Sequence, residues 1–203
     1  MNSYLDSDLK NILVRLSDVS NELSGKTVVL AGAKGFLGRY FIEIFKKMNE
    51  DNLTPVKVIG IDNFVSSGDL GKKYSDDIGS WWSFHEVNLA TQGISLDFIE
   101  SADYVIHAAG IASPFYYRAQ PLAALDVAIN GSRSLLELAC KHNARYTFFS
   151  SSEIYGDPDP RQVPIKEDYR GCLIYTSDAA DDSLRVDLGG RRIVKKQLAY
   201  LLR

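Results

Sequence analysis

Residues 26–38 read KTVVLAGAKGFLG, and this stretch decides the fold. It opens with a short β-branched run without alternation, which is typical of a strand covered on both faces in a parallel sheet. Gly32, Gly35 and Gly38 follow, directly before an amphipathic helical pattern. Glycines in such a turn let the backbone approach a pyrophosphate, and the free N–H groups and dipole of the helix attract that anion. The stretch therefore predicts a strand, a turn and a helix that together bind a dinucleotide.

An acidic residue stands where such a site needs one. The second predicted strand, VKVIGID at 56–62, ends in Asp62, close to the spacing of about 20 residues at which these sites carry an acid. A carboxylate there accepts hydrogen bonds from both ribose hydroxyls and repels a 2′-phosphate, which favours NAD over NADP. Lys34 is a nearby cation that would weaken this preference. The alternative is that the glycines only turn the chain and Asp62 only caps a loop.

The rest of the chain continues the alternation of strand and helix. A helix is predicted over 35–49, with an apolar face formed by Leu37, Tyr40, Phe41, Ile44, Phe45 and Met48. Further strands are predicted at 56–62, 83–89, 102–110 and 145–152, with a loop at 64–80 and a long helix at 121–142. Because strands that alternate with helices at this rhythm form right-handed βαβ units, the sequence predicts an α/β fold with a Rossmann-type, doubly wound parallel sheet.

An extra amphipathic helix is predicted ahead of this unit. Its apolar stripe recurs at spacings of three and four residues and consists of Leu5, Leu9, Ile12, Leu16, Val19 and Leu23. Such a stripe fits either a dimerisation or partner helix or a helix packed on its own domain. The predicted organisation is a helix at 1–24, an incomplete NAD-binding Rossmann domain at 25–171 and a doubtful tail at 172–203.

Composition and charge exclude several classes of function. The 203 residues carry a net charge of −3 with the two signs interspersed, so no basic face for nucleic acid is expected. No apolar run reaches the ~18 residues of a membrane span, and the N-terminus does not read as a signal peptide, so we expect a cytoplasmic location. Cys140 and Cys172 have no metal-ligand spacing, so no metal site is expected and reduced thiols fit best.

Five motifs in order carry a resemblance to a known family. They are GAKGFLG at 32–38 with its preceding strand, IDNF at 61–64, HAAG at 107–110, Asn130-Gly131, and SSSEIYGDP at 150–158. Together they resemble the extended short-chain dehydrogenase/reductase family of NAD-dependent epimerases and dehydratases, over residues 25–171. Within that family, ASPFYYRAQP at 112–121 and SSEIYGDP are most similar to the UDP-glucuronate decarboxylases.

The resemblance implies roles for individual residues. Ser151 takes the place of the family's catalytic serine or threonine, and Glu153 that of an acid near the sugar ring. Pro114 and Tyr117 match a stretch close to the sugar. The residues implied to bind the cofactor are Gly32, Gly35, Phe36, Leu37, Gly38, Asp62, Asn63, Asn88, Leu89, Ala108, Ala109, Gly110, Asn130 and Ser150, with Asn88 and Leu89 bordering the adenine.

The resemblance also implies a chemistry and partners. NAD removes a hydride from C4 of a nucleotide sugar, such as a UDP-sugar, to give a transient 4-keto sugar, and the hydride later returns. A decarboxylase is the first expectation; a 4-epimerase, a 4,6-dehydratase and a non-catalytic NAD-binding protein are the alternatives. The full-length protein is expected to form a homodimer through two helices per subunit, with the long helix from Pro121 as one of them.

One element of the family's chemistry is absent from the sequence. The family's base is a tyrosine followed four residues later by a lysine, whose charge lowers the pKa of the phenol. After Ser151, the fourth residue beyond Tyr169 is Leu173 and the fourth beyond Tyr175 is Ala179. We therefore expect the 203-residue chain to be inactive as an enzyme.

The sequence departs from the family after Gly171. Residues 172–196 read CLIYTSDAADDSLRVDLGGRRIVKK and continue no βαβ unit. They resemble the conceptual translation of read-through into a transposase-based sequencing-library adapter. On that interpretation the chain is the truncated N-terminal portion of an enzyme. The alternatives are a genuine divergent loop with a short basic helix, and a natural pseudoenzyme that binds NAD without turnover.

Overall fold

The computed structural model describes residues 3–50, 54–72, 78–156, 158, 160–167 and 169. The doubtful tail at 172–203, with Cys172, lies outside the described residues. The chain divides into two compact units, Met1–Phe149 and Ser150–Arg203, and each is described by itself.

The first unit is built on a parallel sheet of five strands. The strands are β1 (Thr27–Ala31), β2 (Lys57–Asp62), β3 (Trp82–Glu86), β4 (Tyr104–His107) and β5 (Arg145–Phe148), in the order β3-β2-β1-β4-β5. All four neighbouring pairs are parallel. The predicted α/β fold with its parallel Rossmann-type sheet is confirmed. Every residue of β1 is buried because the sheet is covered on both faces.

Strand order places a binding crevice next to β1. The chain leaves β1 for β2 on one side and later returns to β4 on the other, so the direction of winding reverses at β1. In register, Ala31 lies opposite Ile61 on one side and His107 on the other, so the carboxyl ends of these strands form one edge. Open α/β sheets bind their ligands at such a reversal, outside the carboxyl ends of the strands.

Helices and short turns connect the strands. The α-helices are α1 (Ser3–Arg15), α2 (Ser17–Leu23), α3 (Phe36–Glu50), α4 (Gly68–Lys72), α5 (Pro114–Ala119), α6 (Pro121–Asp126) and α7 (Ser132–His142). A π-helical turn, Val127–Gly131, joins α6 to α7, so the predicted long helix is present with a local change of pitch. In the second unit, 3₁₀ turns cover Ser152–Tyr155 and Pro160–Gln162.

Several predicted boundaries were wrong. The single N-terminal helix is two helices, because the backbone of Leu16 leaves the helical range at φ −95° and ψ 3°. Part of the predicted loop at 64–80 forms α4, and the stretch before the long helix forms α5. Prolines at the starts of α5 and α6 were the signal for these helices, since proline suits the first helical turn. The strands β4 and β5 end earlier than predicted, at His107 and Phe148.

Two hydrophobic clusters pack helices against the two faces of the sheet. One packs α7 against β1 and β4, with Leu135 and Val105 fully buried. The other packs α3 against the opposite face and includes Leu9 of α1, which is 3% exposed. The Tyr40 hydroxyl donates to Asp8 Oδ2 over 3.1 Å, which also ties α1 to α3. The N-terminal helices therefore pack on their own domain, the second of the two interpretations.

The predicted apolar face of α3 is only partly buried. Ile44, Phe45 and Met48 are buried, whereas Leu37 is 41% exposed. Leu37 lies in the first turn of the helix, which borders the open edge of the sheet rather than its covered face. Within the described residues, no helix has the length and apolar character needed to cross a membrane.

Candidate functional site

A cleft of about 600 Å³ opens at the carboxyl ends of β1, β2 and β4. Its volume is in the range of sites that hold small molecules and cofactors. The predicted cofactor residues that line it are Gly32, Gly35, Phe36, Leu37, Asp62, Asn63, Asn88, Leu89, Ala108, Ala109 and Gly110. Most of the predicted set is therefore brought together in one place.

The glycines of the turn serve two different purposes. A Cβ at Gly32, where φ is +83°, would lie 2.5 Å from the Ala108 carbonyl oxygen, and one at Gly38 would overlap the carbonyl oxygens of Gly32 and Ala33. These two positions let the backbones of β1, α3 and β4 pack closely. Among the described residues, a Cβ at Gly35 would have one close neighbour, the Gly32 carbonyl oxygen at 3.2 Å, so the missing side chain leaves open space at the start of α3. That space suits a pyrophosphate at the N-terminus of the helix.

Asp62 ties the glycine turn to the loop after β2. Its Oδ2 accepts a hydrogen bond from the Lys34 backbone N–H at 2.8 Å, and its Oδ1 accepts one from the Phe64 N–H at 2.7 Å. Asp62 therefore does cap the backbone of the glycine turn and of the loop after β2. Each carboxylate oxygen has a second lone pair, so Asp62 can still accept hydrogen bonds from the two hydroxyls of a ribose.

The Lys34 side chain is directed into the protein. It is 3% exposed, and its ammonium lies 4.6 Å from the centre of the Phe84 ring and 5.9 Å from that of Trp82. Such cation–π contacts are worth about 0.5–2 kcal/mol. They hold the charge against the aromatic residues of β3.

Asparagine side chains connect the loops around the cleft. Asn63 Nδ2 donates to Asn88 Oδ1 at 3.1 Å, and the Ala90 N–H donates to the same oxygen at 3.1 Å. Asn130 Nδ2 donates to the Ala90 carbonyl oxygen at 3.0 Å. Asn130 does not itself line the cleft, and its predicted role in binding the cofactor stays a prediction.

Part of the cleft was missed by sequence reasoning. Its further lining residues are Lys34, Arg39, Ile61, Val65, Ser66, Ser67, Gly71, Val87, Ala90, Ile111, Ala112, Ser113, Gln120, Ala123 and Val127. Those at 111–127 extend the wall beyond β4 to the π-helical turn. The turn offered no sequence signal, but such turns are frequent at functional sites.

Six other predicted residues belong to α5, to α3 and to the second unit. Pro114 begins α5, and Tyr117 on the same helix is 39% exposed and does not line the cleft. Gly38 is buried beneath the turn. Ser150, Ser151 and Glu153 belong to the second unit, where the Ile154 N–H donates to the Ser151 carbonyl oxygen at 3.2 Å. Their proposed roles stay predictions. Among the described residues, no group of three or more His, Cys, Asp or Glu could hold a metal ion.

His107 was not predicted as a special residue. It ends β4, is 1% exposed, and neither ring nitrogen has a hydrogen-bond partner within the described chain. Its ring centre lies 5.1 Å from that of Phe148. Burial lowers the pKa of His107, because the apolar surroundings disfavour the imidazolium form.

This burial predicts a loss of stability in mild acid. In the unfolded chain the imidazole has a pKa of about 6.5, so below that pH the unfolded state binds a proton that the native state does not. We expect the free energy of unfolding to be unaffected by His107 above pH ~6.5 and to fall below it. Replacing His107→Phe should remove about 1 kcal/mol of this fall between pH 6.5 and 5. Urea unfolding at several pH values measures it.

The matched control is His85→Phe. His85 also ends up beside a phenylalanine ring, that of Phe98 at 4.3 Å, but it is only partly buried. We expect this variant to keep the acid-dependent loss. If the free energy of unfolding of His107→Phe fell with decreasing pH as steeply as that of the wild type, the assignment to His107 would be wrong.

Comparison with known proteins adds to this geometry. Residues 28–176 match the model of the NAD dependent epimerase/dehydratase family. Over 135 residues the chain is 28% identical to UDP-glucuronic acid decarboxylase 5 of Arabidopsis thaliana, covering 66% of this chain and 36% of that protein. It is 27% identical to UDP-D-apiose/UDP-D-xylose synthase 2 of the same plant, covering 75% of this chain and 43% of that protein. The chain thus spans less than half the length of these relatives.

Solved structures of epimerases share the fold of this chain. UDP-N-acetylglucosamine 4-epimerase from Methanobrevibacter ruminantium M1 superposes with a TM-score of 0.57 at 28% identity, covering 82% of this chain and 51% of that one. Epimerase Mth375 from Methanothermobacter thermautotrophicus superposes with a TM-score of 0.60 at 21% identity, covering 77% of this chain and 44% of that one. The second likeness concerns the fold alone.

Proposed function

The chain belongs to the NAD dependent epimerase/dehydratase family, and on that premise we propose that the whole protein modifies a nucleotide sugar through a transient 4-keto intermediate. The cofactor is NAD. The observation that carries the proposal is Asp62 at the end of β2, in the same cleft as the glycine turn. A parallel sheet with an acid and an open glycine at its reversal point fits a dinucleotide with a free 2′-hydroxyl.

Different residues of the cleft would bind different parts of the cofactor. The free N–H groups at the start of α3, next to Gly35, would bind the pyrophosphate, and Asp62 would bind the ribose next to the adenine. The bound cofactor supplies a hydride acceptor that later returns the hydride. Ser151 would hydrogen-bond the reacting hydroxyl, and Glu153 would assist proton transfer or position a sugar carboxylate.

Among the reactions of the family, decarboxylation of a UDP-sugar acid is our first proposal. Its support is the likeness to the plant UDP-glucuronic acid decarboxylase at 28% identity. A 4-epimerase or 4,6-dehydratase is the second candidate, supported by an epimerase that shares 28% identity and the fold. A non-catalytic NAD-binding protein is the third, because residues 1–203 contain no Tyr-x-x-x-Lys after Ser151.

The test of the proposed site is titration calorimetry with the two nicotinamide dinucleotides. We expect NAD⁺ to bind to the 203-residue chain at least about tenfold more tightly than NADP⁺, because a 2′-phosphate would place negative charge beside the Asp62 carboxylate. Tighter binding of NADP⁺ would defeat the role given to Asp62. No heat with either dinucleotide would defeat the proposed site as a whole.

We also propose that the whole protein forms a homodimer through the segment from α6 to α7. A row of exposed apolar side chains supports this: Leu122, Leu125, Ile129 and Leu136 are 69%, 53%, 50% and 44% exposed. Their spacings of three, four and seven residues place them on one side of the segment. We expect Leu125→Glu to halve the mass found by sedimentation equilibrium. An unchanged dimer, or a wild-type monomer, would contradict the proposal.

A further inference from the structure

Phe64 has a backbone conformation that large side chains rarely adopt. Its φ is +58°, in the left-handed region, where the Cβ crowds the following carbonyl oxygen. Among the described residues, the other non-glycine with a positive φ is Asn143, which ends α7, a position where asparagine is common. Phe64 instead lies in the loop that leaves β2, two residues after Asp62. A strained residue persists only where its surroundings hold it, and such residues cluster at sites that clamp a ligand.

Three kinds of contact hold Phe64 in this conformation. Its N–H donates to Asp62 Oδ1 at 2.7 Å, and its carbonyl oxygen accepts a hydrogen bond from the Gly68 N–H at 2.8 Å. Its ring centre lies 5.5 Å from that of Phe84 on β3. The Lys72 ammonium, at the end of α4, lies 5.7 Å from the centre of the same ring. Phe64 therefore contacts β2, β3 and α4 at once.

The residues that follow Phe64 form one wall of the cleft, although Phe64 itself does not line it. Val65, Ser66, Ser67 and Gly71 are all lining residues. Gly71 is buried, and a Cβ there would lie 3.1 Å from Phe64 Cδ1. Helix α4 thus packs directly on the Phe64 ring, so the position of this wall depends on where the backbone of Phe64 places that ring.

We propose that Phe64 is a positioning residue for the cofactor: its left-handed backbone directs residues 65–71 into the wall of the cleft, and the affinity for NAD depends on that direction. This inference rests on the proposed cofactor site. The Asp62 carboxylate that would bind the ribose also accepts the Phe64 N–H, so the ribose acceptor and the wall share one anchor. A protein that populates its binding conformation only in part binds its ligand more weakly by that fraction. A residue 64 that disfavours the left-handed region therefore weakens binding without touching the ligand.

Two substitutions separate the backbone of Phe64 from its ring. Phe64→Asn and Phe64→Val both remove the ring, but asparagine tolerates the left-handed region, whereas the β-branched valine strongly disfavours it. Calorimetric titration of the 203-residue chain with NAD⁺ should show binding to Phe64→Val that is about tenfold or more weaker than binding to Phe64→Asn. If circular dichroism shows that Phe64→Val does not fold, Phe64→Ala replaces it, since alanine also lacks the local hydrogen bonds that let asparagine adopt this region.

Hydrogen exchange in the absence of ligand gives a second readout. The Gly68 N–H donates to the Phe64 carbonyl oxygen at 2.8 Å, and the Gly71 N–H donates to the Ser67 carbonyl oxygen at 3.1 Å. Both amides should exchange about tenfold faster in Phe64→Val than in Phe64→Asn, because loss of the left-handed backbone opens the wall. An equal acceleration of the buried amides of β1 would show a general loss of stability and would overturn the inference.

The matched control is the same pair of substitutions at Phe98. This phenylalanine also packs on a ring, that of His85 at 4.3 Å, but it is 41% exposed, has no positive φ and does not line the cleft. Phe98→Asn and Phe98→Val should bind NAD⁺ within about twofold of each other. If the wild type binds NAD⁺ but the two Phe64 variants bind it equally, the inference is overturned while the NAD site stands. If the wild type gives no heat with NAD⁺, the proposed function fails and the inference fails with it.

Discussion

Replacing Gly38 with alanine is expected to cost the first unit at least about 3 kcal/mol of stability, the upper end of the range for overpacking. The added Cβ would overlap the carbonyl oxygens of Gly32 and Ala33. These carbonyls cannot move aside easily, because the Gly32 and Ala33 N–H groups donate to the Ile61 carbonyl oxygen at 2.8 and 3.2 Å and Ala33 is fully buried. Urea unfolding without any ligand measures the effect on the fold alone.

Gly110→Ala is the control for this prediction. Gly110 also lies at the carboxyl edge of the sheet, but a Cβ there would meet no atom of the described residues within 4 Å, and its φ is not positive. We expect a change of less than about 1 kcal/mol, since only the entropy of the unfolded chain is altered. Equal stabilities of the two variants would show that helix α3 can shift away from β1, and the close packing assigned to Gly38 would be wrong.

The strand, turn and helix at 26–50 could be predicted because residue type, glycine positions and apolar spacing all favoured the same structure. The β-branched run at 27–31 suits a strand buried on both faces, the glycines suit a tight crossing, and the apolar spacing from Phe41 to Met48 suits a helix on that sheet. Such agreement fixes the type of each element. It does not fix where an element ends, which is why the strands β4 and β5 were predicted too long.

Other features depend on contacts that a sequence does not display. The Asn130 amide donates to the Ala90 carbonyl oxygen, 40 residues away in the chain, a contact that the sequence does not reveal. The burial of Lys34 follows from the rings of β3, which a local pattern could not place beside the glycine turn. Long-range packing decided each of these.

Asp62→Asn is expected to change both stability and cofactor choice. An amide keeps the shape but has only one oxygen, so either the Lys34 N–H or the Phe64 N–H loses its acceptor. This should cost about 1–3 kcal/mol in urea unfolding. Binding of NAD⁺ should weaken by about tenfold or more, since one ribose hydroxyl loses a charged acceptor. Binding of NADP⁺ should weaken less, because the repulsion of its 2′-phosphate is also removed.

Glu86→Gln is the control that distinguishes direct contact of Asp62 with the ribose from the effect of its negative charge. Glu86 lies opposite Asp62 in the register of β2 and β3 but does not line the cleft. Glu86→Gln therefore removes one negative charge from the strand next to that of Asp62. We expect this variant to leave the ratio of NAD⁺ to NADP⁺ affinity within about twofold of the wild type, because the Glu86 side chain is exposed and its charge is screened by solvent. An equal shift in both variants would mean that the general field of the site, and not Asp62, selects the cofactor.

The two readouts of Asp62→Asn distinguish the two roles that its geometry allows. Loss of stability with an unchanged affinity ratio would mean that the carboxylate only caps the backbone, since the Lys34 and Phe64 N–H groups sense the substitution and the ribose does not. A shifted ratio with little loss of stability would mean that the two caps contribute less than their short distances indicate. We expect both changes together, because each oxygen of Asp62 has one lone pair for the protein and one for the ligand.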